Sequence, residues 1–256
     1  MTDPNIVQAL EEFAREQSSV VAGALIVSRI VDPDTDTDWC QAQLTELAQT
    51  MPSGASAIDI AHILQEQGFR GSEAYYKSEN SALAHVLQSR EGIPISLAIV
   101  VMGICEQLGL EATGINFPTH FLVSVGKTLI DPFTMTIADQ DECQRWLKDN
   151  NLDSHIAFTP ATPRETVLRM LNNLSGLARS GNDSARALEL SDYKLALAPD
   201  VLPVYLERAE LWLELGVVDM ARRDLLSAIE LAPDEATKSM LGERLAELED
   251  VPSRLH

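Results

Sequence analysis

The chain has 256 residues, enough for one or two domains with a sizeable core. Its net charge of −20 argues against a general nucleic-acid binder and against a protein that binds anionic membranes. Aromatic residues make up only 5% of an Ala- and Leu-rich chain, which favours a mostly helical protein. Residues 1–159 carry 22 acidic and 8 basic residues, so we expect an electrostatic partner to be neutral or basic.

The sequence predicts a cytoplasmic protein without a metal or another cofactor. The N-terminus lacks a basic stretch followed by an apolar one, so no signal peptide is predicted. The apolar run at 97–105 is far shorter than the roughly 20 residues of a membrane-spanning helix. Cys40, Cys105 and Cys143 are odd in number and lack CxxC spacing, which argues against a disulfide framework or a zinc site. Residues 32–38 (DPDTDTD) resemble the start of a calcium loop, but the required Gly and Glu are missing, and a solvated loop is the better interpretation.

Helices alternate with a few short strands in the first 150 residues. The spacing of Ile6, Leu10 and Phe13 predicts a first amphipathic helix, and the apolar periodicity predicts that Trp146 faces the core from a later helix. Either Asn80 or Ser81 is expected to cap a short helix. Predicted helices span 20–31, 39–50, 57–67, 82–90, 95–108 and 139–148; predicted antiparallel strands span 111–117, 120–125 and 128–131, with a tight turn at 126–127.

The remainder of the chain predicts helices only. Thr162 and Glu165 form a capping-box pattern with Pro163 at the first helical position, so a helix begins here and the domains are expected to span 1–160 and 161–256. An Ala-Pro-Asp ending recurs with Pro199 and Pro233 separated by 34 residues, the period of tetratricopeptide helix pairs. The predicted helices span 163–180, 184–198, 202–215, 217–231 and 235–249, the last of which caps the stack.

Three residues in the middle of the chain are candidates for a catalytic triad. Ser96 opens a buried helix, where the helix dipole stabilises negative charge on a nucleophile or an oxyanion. His120 opens a predicted strand and Asp131 ends the next one, so a base and an orienting acid follow the hydroxyl in order. The alternatives are structural: Ser96 satisfies a free backbone amide, His120 is hydrogen-bonded, and Asp131 forms a turn. Cys105 lies about 180° around the helix from Ser96, which predicts an inert, buried thiol.

Four short motifs resemble the bacterial SirB-type family, which joins a transglutaminase-like domain to C-terminal tetratricopeptide-like repeats. They are residues 80–81 (NS), 92–97 (GIPISL), 117–123 (FPTHFLV) and 130–133 (IDPF). The resemblance implies a papain-like α+β core in which a central helix presents the nucleophile and a sheet presents His and Asp. It also implies an all-α tetratricopeptide-like region after this core.

The resemblance places Ser96 where the superfamily has its nucleophilic Cys, or Pro94 if the alignment shifts by two residues. An alcohol needs stronger general-base help than a thiol of pKa about 8.5. Two functions therefore compete. One is a protein or peptide binder, for which Asn80, Pro94 and Trp212 are candidate binding residues; the other is a hydrolase or acyltransferase that uses Ser96, His120 and Asp131.

Overall fold

The structure, a computed structural model, describes residues 2–16, 19–118, 120–152 and 158–249. Residue 119 of the FPTHFLV motif lies outside the described residues. None of the helices in the described part of the chain is both long and apolar enough to span a membrane. The described residues form two compact units: one lies within Glu16–Met170, and the other combines Met1–Arg15 with Leu171–His256.

The fold class predicted from the sequence is confirmed: helices with a short antiparallel sheet precede a helical C-terminal region. The helices are α1 (Pro4–Glu16), α2 (Val20–Val31), α3 (Thr37–Gln49), α4 (Ala57–Glu66), α5 (Leu83–Ser89), α6 (Pro94–Leu108), α7 (Gln140–Asp149), α8 (Pro163–Ser180), α9 (Ser184–Leu197), α10 (Leu202–Glu214), α11 (Val218–Glu230) and α12 (Glu235–Glu249). The strands are β1 (Arg70–Gly71), β2 (Glu91–Gly92), β3 (Ala112–Ile115), β4 (Leu122–Val125), β5 (Thr128–Asp131), β6 (Thr136–Ile137) and β7 (Pro160–Ala161).

Helix α6 is the centre of the unit within Glu16–Met170. Every residue from its start to Cys105 is buried, as the absence of a polar face predicts. It packs against α2, α3 and α5 on one side and against β3 and β4 of the sheet. Gly103 permits the close approach, because a Cβ there would lie 3.0 Å from the Leu44 side chain and 3.1 Å from that of Val21.

The sheet has the strand order β6-β5-β4-β3-β7, with every neighbouring pair antiparallel. Gly126 adopts a φ of +59° in the predicted turn between β4 and β5, a conformation that glycine takes without steric cost. The two-residue strands β1 and β2 pair in parallel, with Gly71 opposite Gly92. These short strands have no periodic sequence signal, and tertiary pairing alone makes them strands.

Two local predictions about the first unit are wrong. Neither Asn80 nor Ser81 caps helix α5: both lie in the 3-10 turn Ser78–Ser81, and the N-cap position belongs to Ala82. On α7 the buried residue is Leu147, whereas Trp146 stays 37% exposed, with its ring tilted by 48° against that of Phe117. The reason is that Leu147 packs against Ile115 and Leu122 of the sheet, whereas the neighbouring Trp146 projects from a different side of the helix.

The second unit consists of helices that pack in chain order. Helix α9 contacts α10, α10 contacts α11, and α11 contacts α12, and the connections are short. The capping box predicted at the start of α8 is present, since the Thr162 N–H and hydroxyl donate to the Glu165 carboxylate at 2.7 and 2.9 Å. That start of α8 belongs to the first unit, since the second unit resumes at Leu171. Within the second unit, the backbone N–H of Asp3 donates to the Tyr193 hydroxyl at 2.9 Å. The tetratricopeptide assignment and the domain boundary at residues 160 and 161 stay predictions, because compactness does not test which segments fold independently.

Candidate functional site

The hydroxyl of Ser96 is a buried link between two backbone segments. Ser96 lies in the first turn of α6 and is 0% exposed. Its Oγ accepts a hydrogen bond from the Ile93 N–H at 3.1 Å, which satisfies one of the free amides at the helix start. The hydroxyl donates to the Asn80 carbonyl at 2.6 Å, and the Ile93 carbonyl lies at 3.0 Å as a second acceptor. The hydroxyl therefore ties the start of α6 to the 3-10 turn.

The residue before this turn of helix has to be glycine. A Cβ at Gly92 would lie 2.7 Å from the Ser96 Oγ and 2.9 Å from the Val86 Cγ2, closer than real Cβ contacts. The space around the hydroxyl is thus already filled by protein. The GIP motif serves this packing, with Pro94 buried at the first helical position, where a missing N–H costs nothing.

His120 and Asp131 form the polar pair that the sequence predicts. The His120 Nε2 lies 2.9 Å from the Asp131 Oδ1, and the side chains are 31% and 22% exposed. The Phe133 N–H donates to the same carboxylate oxygen at 2.9 Å. Burial raises the pKa of Asp131, but the hydrogen bond and charge of His120 and the Phe133 N–H outweigh it and lower the pKa below its ordinary value.

The position of His120 differs from the prediction in one respect. It lies two residues before β4 in a turn closed by its own N–H, which donates to the Phe117 carbonyl at 3.0 Å. Its backbone carbonyl accepts a hydrogen bond from the Arg169 Nη2 at 3.0 Å. Arg169 also donates to the Asn116 side chain at 2.9 Å, so one guanidinium from α8 holds both ends of this turn.

Sequence reasoning missed Arg169 entirely. It lies 49 residues from His120, inside a helix whose pattern indicates only amphipathicity. The helical periodicity of a sequence shows which residues share a face, but it does not show which distant segment that face contacts. Arg169 shares its helix face with polar residues such as Glu165 and Asn173, so nothing in the sequence distinguishes it from a solvated arginine.

Strand β1 lies between the start of α6 and the end of β5. Gly71 pairs with Gly92 on one side, and its N–H donates to the Phe133 carbonyl at 2.7 Å on the other. The Phe133 ring covers Gly71, because a Cβ there would lie 2.2 Å from the ring. This close contact brings the ring of Phe133 within 6.3 Å of the His120 ring, centroid to centroid.

A loop with two exposed tyrosines adjoins this ring. Tyr76 is 83% exposed and Tyr75 41%, and their rings meet edge to face with centroids 5.3 Å apart. The Tyr75 ring lies 6.4 Å from that of Phe133. The Asn80 amide donates to the carbonyls of Ala74 and Tyr75 at 2.7 and 3.3 Å, and these hydrogen bonds attach the loop to the 3-10 turn. Two adjacent aromatic residues in a polar segment were the sequence signal for this surface.

On its other side, the His120–Asp131 pair borders a groove of about 440 Å³. One wall is helix α7 and the other is the segment around β6, which we call together the α7 groove. Its lining residues are Phe117, His120, Leu122, Asp131, Thr134, Thr136, Ile137, Ala138, Asp139, Glu142, Cys143 and Trp146.

The predicted site residues are thus divided between two places. His120 and Asp131 meet, whereas the hydroxyl of Ser96 is bonded to Asn80 and Ile93, and within the described chain it forms no hydrogen bond with His120. Trp212, the candidate in the helical repeats, packs in a hydrophobic cluster with Ala209, Leu225 and neighbours, and its indole N–H is buried. Its role in binding stays a prediction.

The remaining chemistry-bearing groups are not arranged for metal binding or thiol chemistry. Among the described residues, no three His, Cys, Asp or Glu side chains converge closely enough to hold a metal ion. Burial raises the pKa of the Cys105 thiol to about 11, and burial with the nearby Asp36 charge does the same for Cys40. Both thiols are therefore protonated and inert near neutral pH.

Comparison with known proteins supports the architecture described above. The transglutaminase-like superfamily profile matches residues 37–172, more than half of the chain. The UPF0162 protein of Pseudomonas aeruginosa is 31% identical over 96% of each chain. The protein SirB1 of Salmonella typhimurium is 23% identical over 92% of this chain and 94% of its own length. The mouse F-box only protein 21 is 30% identical over 62% of this chain, which corresponds to 28% of that protein.

The matched profile spans α3 to the first half of α8, and so includes both the Ser96 turn and the His120–Asp131 pair. The relatives named UPF0162 and SirB1 extend the likeness over nearly the whole chain, including the C-terminal helices. The chain therefore belongs to the transglutaminase-like superfamily and, within it, to the SirB-type family.

Proposed function

We propose that this chain is a protein- or peptide-binding member of the SirB-type family, in which Ser96 occupies the place of the nucleophilic Cys without acting as a nucleophile. The observation that carries the proposal is the state of the Ser96 hydroxyl. It is 0% exposed and donates to a backbone carbonyl at 2.6 Å. A serine nucleophile instead donates to its general base and faces the substrate.

Freeing this hydroxyl for attack requires the loss of two buried hydrogen bonds. The Ile93 N–H and the Asn80 carbonyl, both in residues that are at most 3% exposed, would lose their partner. A buried polar group without a partner costs about 1–3 kcal/mol. A cysteine at the start of the same helix is not held by a comparable hydrogen bond to a backbone carbonyl, since a thiol is a poor hydrogen-bond donor.

The surface around His120 has the composition of a binding site for another protein. Tyr75 and Tyr76 are exposed beside Phe133, and Trp146 and Ile137 are exposed at the α7 groove. Exposed Tyr and Trp side chains bury large areas on association at a small cost in conformational entropy. Ser96, at the position of the superfamily's nucleophile, stabilises this surface here. Its hydroxyl donates to the Asn80 carbonyl, and the Asn80 amide donates in turn to the backbone of the tyrosine loop.

The proposed partner is a neutral or basic protein or peptide segment. The charge of the first 159 residues, with 22 acids and 8 bases, favours such a partner and disfavours nucleic acid and anionic membranes. The tetratricopeptide-like helices are proposed to extend the same binding function, and the cytoplasmic location stays a prediction of the sequence.

The alternative function is that of a hydrolase or acyltransferase, and one observation favours it. The imidazole of His120 is held by Asp131 at 2.9 Å, as a general base is held in Ser-His-Asp enzymes. This function would require the Ser96 hydroxyl to exchange its bond to Asn80 for one to His120.

Labelling with acyl-type and fluorophosphonate activity probes distinguishes the two functions. The native protein and Ser96→Ala are expected to label equally weakly. In a Cys143→Ala background, the thiol of Ser96→Cys is expected to alkylate with iodoacetamide more slowly than an unfolded-peptide cysteine, because burial raises a thiol pKa as it does for Cys105 on the same helix. Labelling that depends on Ser96, or a fast thiol that slows in His120→Ala, would establish the enzyme instead.

The binding surface itself is tested by photo-crosslinking. A benzophenone amino acid at position 76 is expected to capture a partner protein in cells, whereas the same group at position 58, an exposed site on α4, is expected to capture none. Equal capture at both positions contradicts a specific surface around Tyr76.

A further inference from the structure

The α7 groove is built from one face of a helix and one edge of the sheet. Asp139 caps α7, and Glu142, Cys143 and Trp146 follow it at the i+3, i+4 and i+7 spacing that aligns side chains on a single helix face. The opposite wall includes Ile137 of β6, which is 40% exposed. The groove lining therefore combines three carboxylates with several aromatic and aliphatic side chains.

Of the three carboxylates that line the groove, that of Glu142 has no partner among the residues that the structure describes. Asp131 is paired with His120, and the Asp139 carboxylate accepts the N–H groups of Asp141 and Glu142 at the start of α7. The side chain of Glu142 is exposed and forms no hydrogen bond or ion pair with any described residue. None of the residues that line the groove in the described chain is a lysine or an arginine.

The three carboxylates of the groove also act on a neighbouring thiol, that of Cys143. The pKa of Cys143 is raised by burial and further by the charges of Glu142, Asp139 and Asp131. All three carboxylates thus contribute a negative electrostatic potential at Cys143 inside the groove, and such a potential favours the binding of a cation.

The apolar side suits the stem of a long side chain. Trp146 is 37% exposed, and its ring lies 5.6 Å from that of Phe117, so the two rings form a wall next to the acids. Lysine and arginine bury their methylene groups against apolar surface and keep the charged head near acids or over an aromatic face. A glutamate side chain would meet three like charges, and a short apolar side chain would leave Glu142 without a partner.

We propose that the α7 groove binds a lysine or arginine side chain of the partner protein, with the methylene stem on Trp146 and the charged head at Glu142. The proposal rests on the proposed function, since it names the chemistry that the binding surface recognises. It is narrower than that function, because the tyrosine loop is a separate surface: neither Tyr75 nor Tyr76 lines the groove.

Nuclear magnetic resonance titration of the ¹⁵N-labelled full chain tests the proposal. The probes are three acetylated, amidated tripeptides, Leu-Arg-Gly, Leu-Gln-Gly and Leu-Glu-Gly. The arginine peptide is expected to shift the Trp146 indole N–H and the Ile137 amide, to bind about fivefold tighter than the glutamine peptide, and to weaken with added NaCl. The glutamate peptide is expected to leave these signals unchanged.

Matched variants of α7 locate the charge. Glu142→Gln is expected to weaken the arginine peptide about threefold. Asp141→Asn, the same loss of charge on an exposed neighbour outside the groove lining, is expected to leave its affinity unchanged. Both residues are exposed, so neither change is expected to affect folding.

Several outcomes overturn the proposal: no shift at Trp146, equal binding of the arginine and glutamine peptides, or equal effects of the two variants. Shifts confined to Tyr75 and Tyr76 would also overturn it, but would leave the proposed binding function intact. Failure of that function has a different signature, namely activity-probe labelling that depends on Ser96.

Discussion

The substitution Ser96→Ala separates a structural hydroxyl from a catalytic one. The change removes the acceptor of the Ile93 N–H at 3.1 Å and the donor to the Asn80 carbonyl at 2.6 Å, and it leaves the backbone in place. Ile93 is 3% exposed and Asn80 2%, so water does not reach either group without local opening.

The magnitude follows from these two unsatisfied groups. A buried donor or acceptor without a partner costs about 1–3 kcal/mol, and partial relaxation of the 3-10 turn reduces the sum. We expect Ser96→Ala to lower the free energy of unfolding by about 2–4 kcal/mol. A unit of this size loses roughly 2–4 °C of Tm for each kcal/mol, so the melting temperature should fall by about 5–15 °C.

Urea unfolding followed by circular dichroism measures this loss. Ser180→Ala is the control, because its exposed hydroxyl donates to the Leu177 carbonyl at a helix end, and its removal should change stability by less than about 0.5 kcal/mol. A loss for Ser96→Ala no larger than that of Ser180→Ala would refute the reasoning, because the hydroxyl would then not satisfy two buried groups.

Three further predictions concern the polar groups around the site and in the helical unit. Asn80→Ala should speed hydrogen exchange in the loop that carries Tyr75 and cost about 1–2 kcal/mol of stability, since two carbonyls lose their donor; unchanged exchange would contradict this role. The lowered pKa of Asp131 means that its carboxylate stabilises the fold above its unfolded pKa of about 3.9 and loses this effect as the pH falls through the folded value. The destabilisation by Asp131→Asn in urea should therefore be largest near neutral pH and shrink below about pH 4, and a pH-independent effect would count against it. Asp224→Ala should cost about 3 kcal/mol, because it removes the buried carboxylate that pairs with the Arg208 Nε at 2.9 Å and leaves this largely buried guanidinium with Asp192 alone. Asp219→Ala, at a residue whose side chain is 70% exposed, should cost under about 1 kcal/mol in the same assay.

Features that depend on neighbours within one or two helical turns were predictable from the sequence. The burial of α6 on every side follows from its apolar composition, and the start of α8 follows from Thr162, Pro163 and Glu165. The turn at Gly126 likewise depends on one residue that tolerates a positive φ. Each of these features depends on hydrogen bonds or packing between residues that are close in the chain, so a short stretch of sequence is enough to predict it.

Other features depend on which distant segments meet, and no local pattern encodes that. The sequence suggests that Ser96, His120 and Asp131 occur in catalytic order, and two of them do pair across 11 residues. The direction of the Ser96 hydroxyl, however, is decided by a carbonyl 16 residues away, and the His120 turn by a guanidinium 49 residues away.

The same distinction explains α7. The sequence predicts that Trp146 faces the core, and only the contact between this helix and the sheet decides that Leu147 is buried while Trp146 lines a groove. The sequence by itself therefore determined the helices, the three central strands of the sheet and the identity of the predicted site residues. Tertiary structure alone decided which of them have their hydrogen bonds satisfied inside the protein and which remain exposed to a partner, because that depends on desolvation by segments remote in the chain.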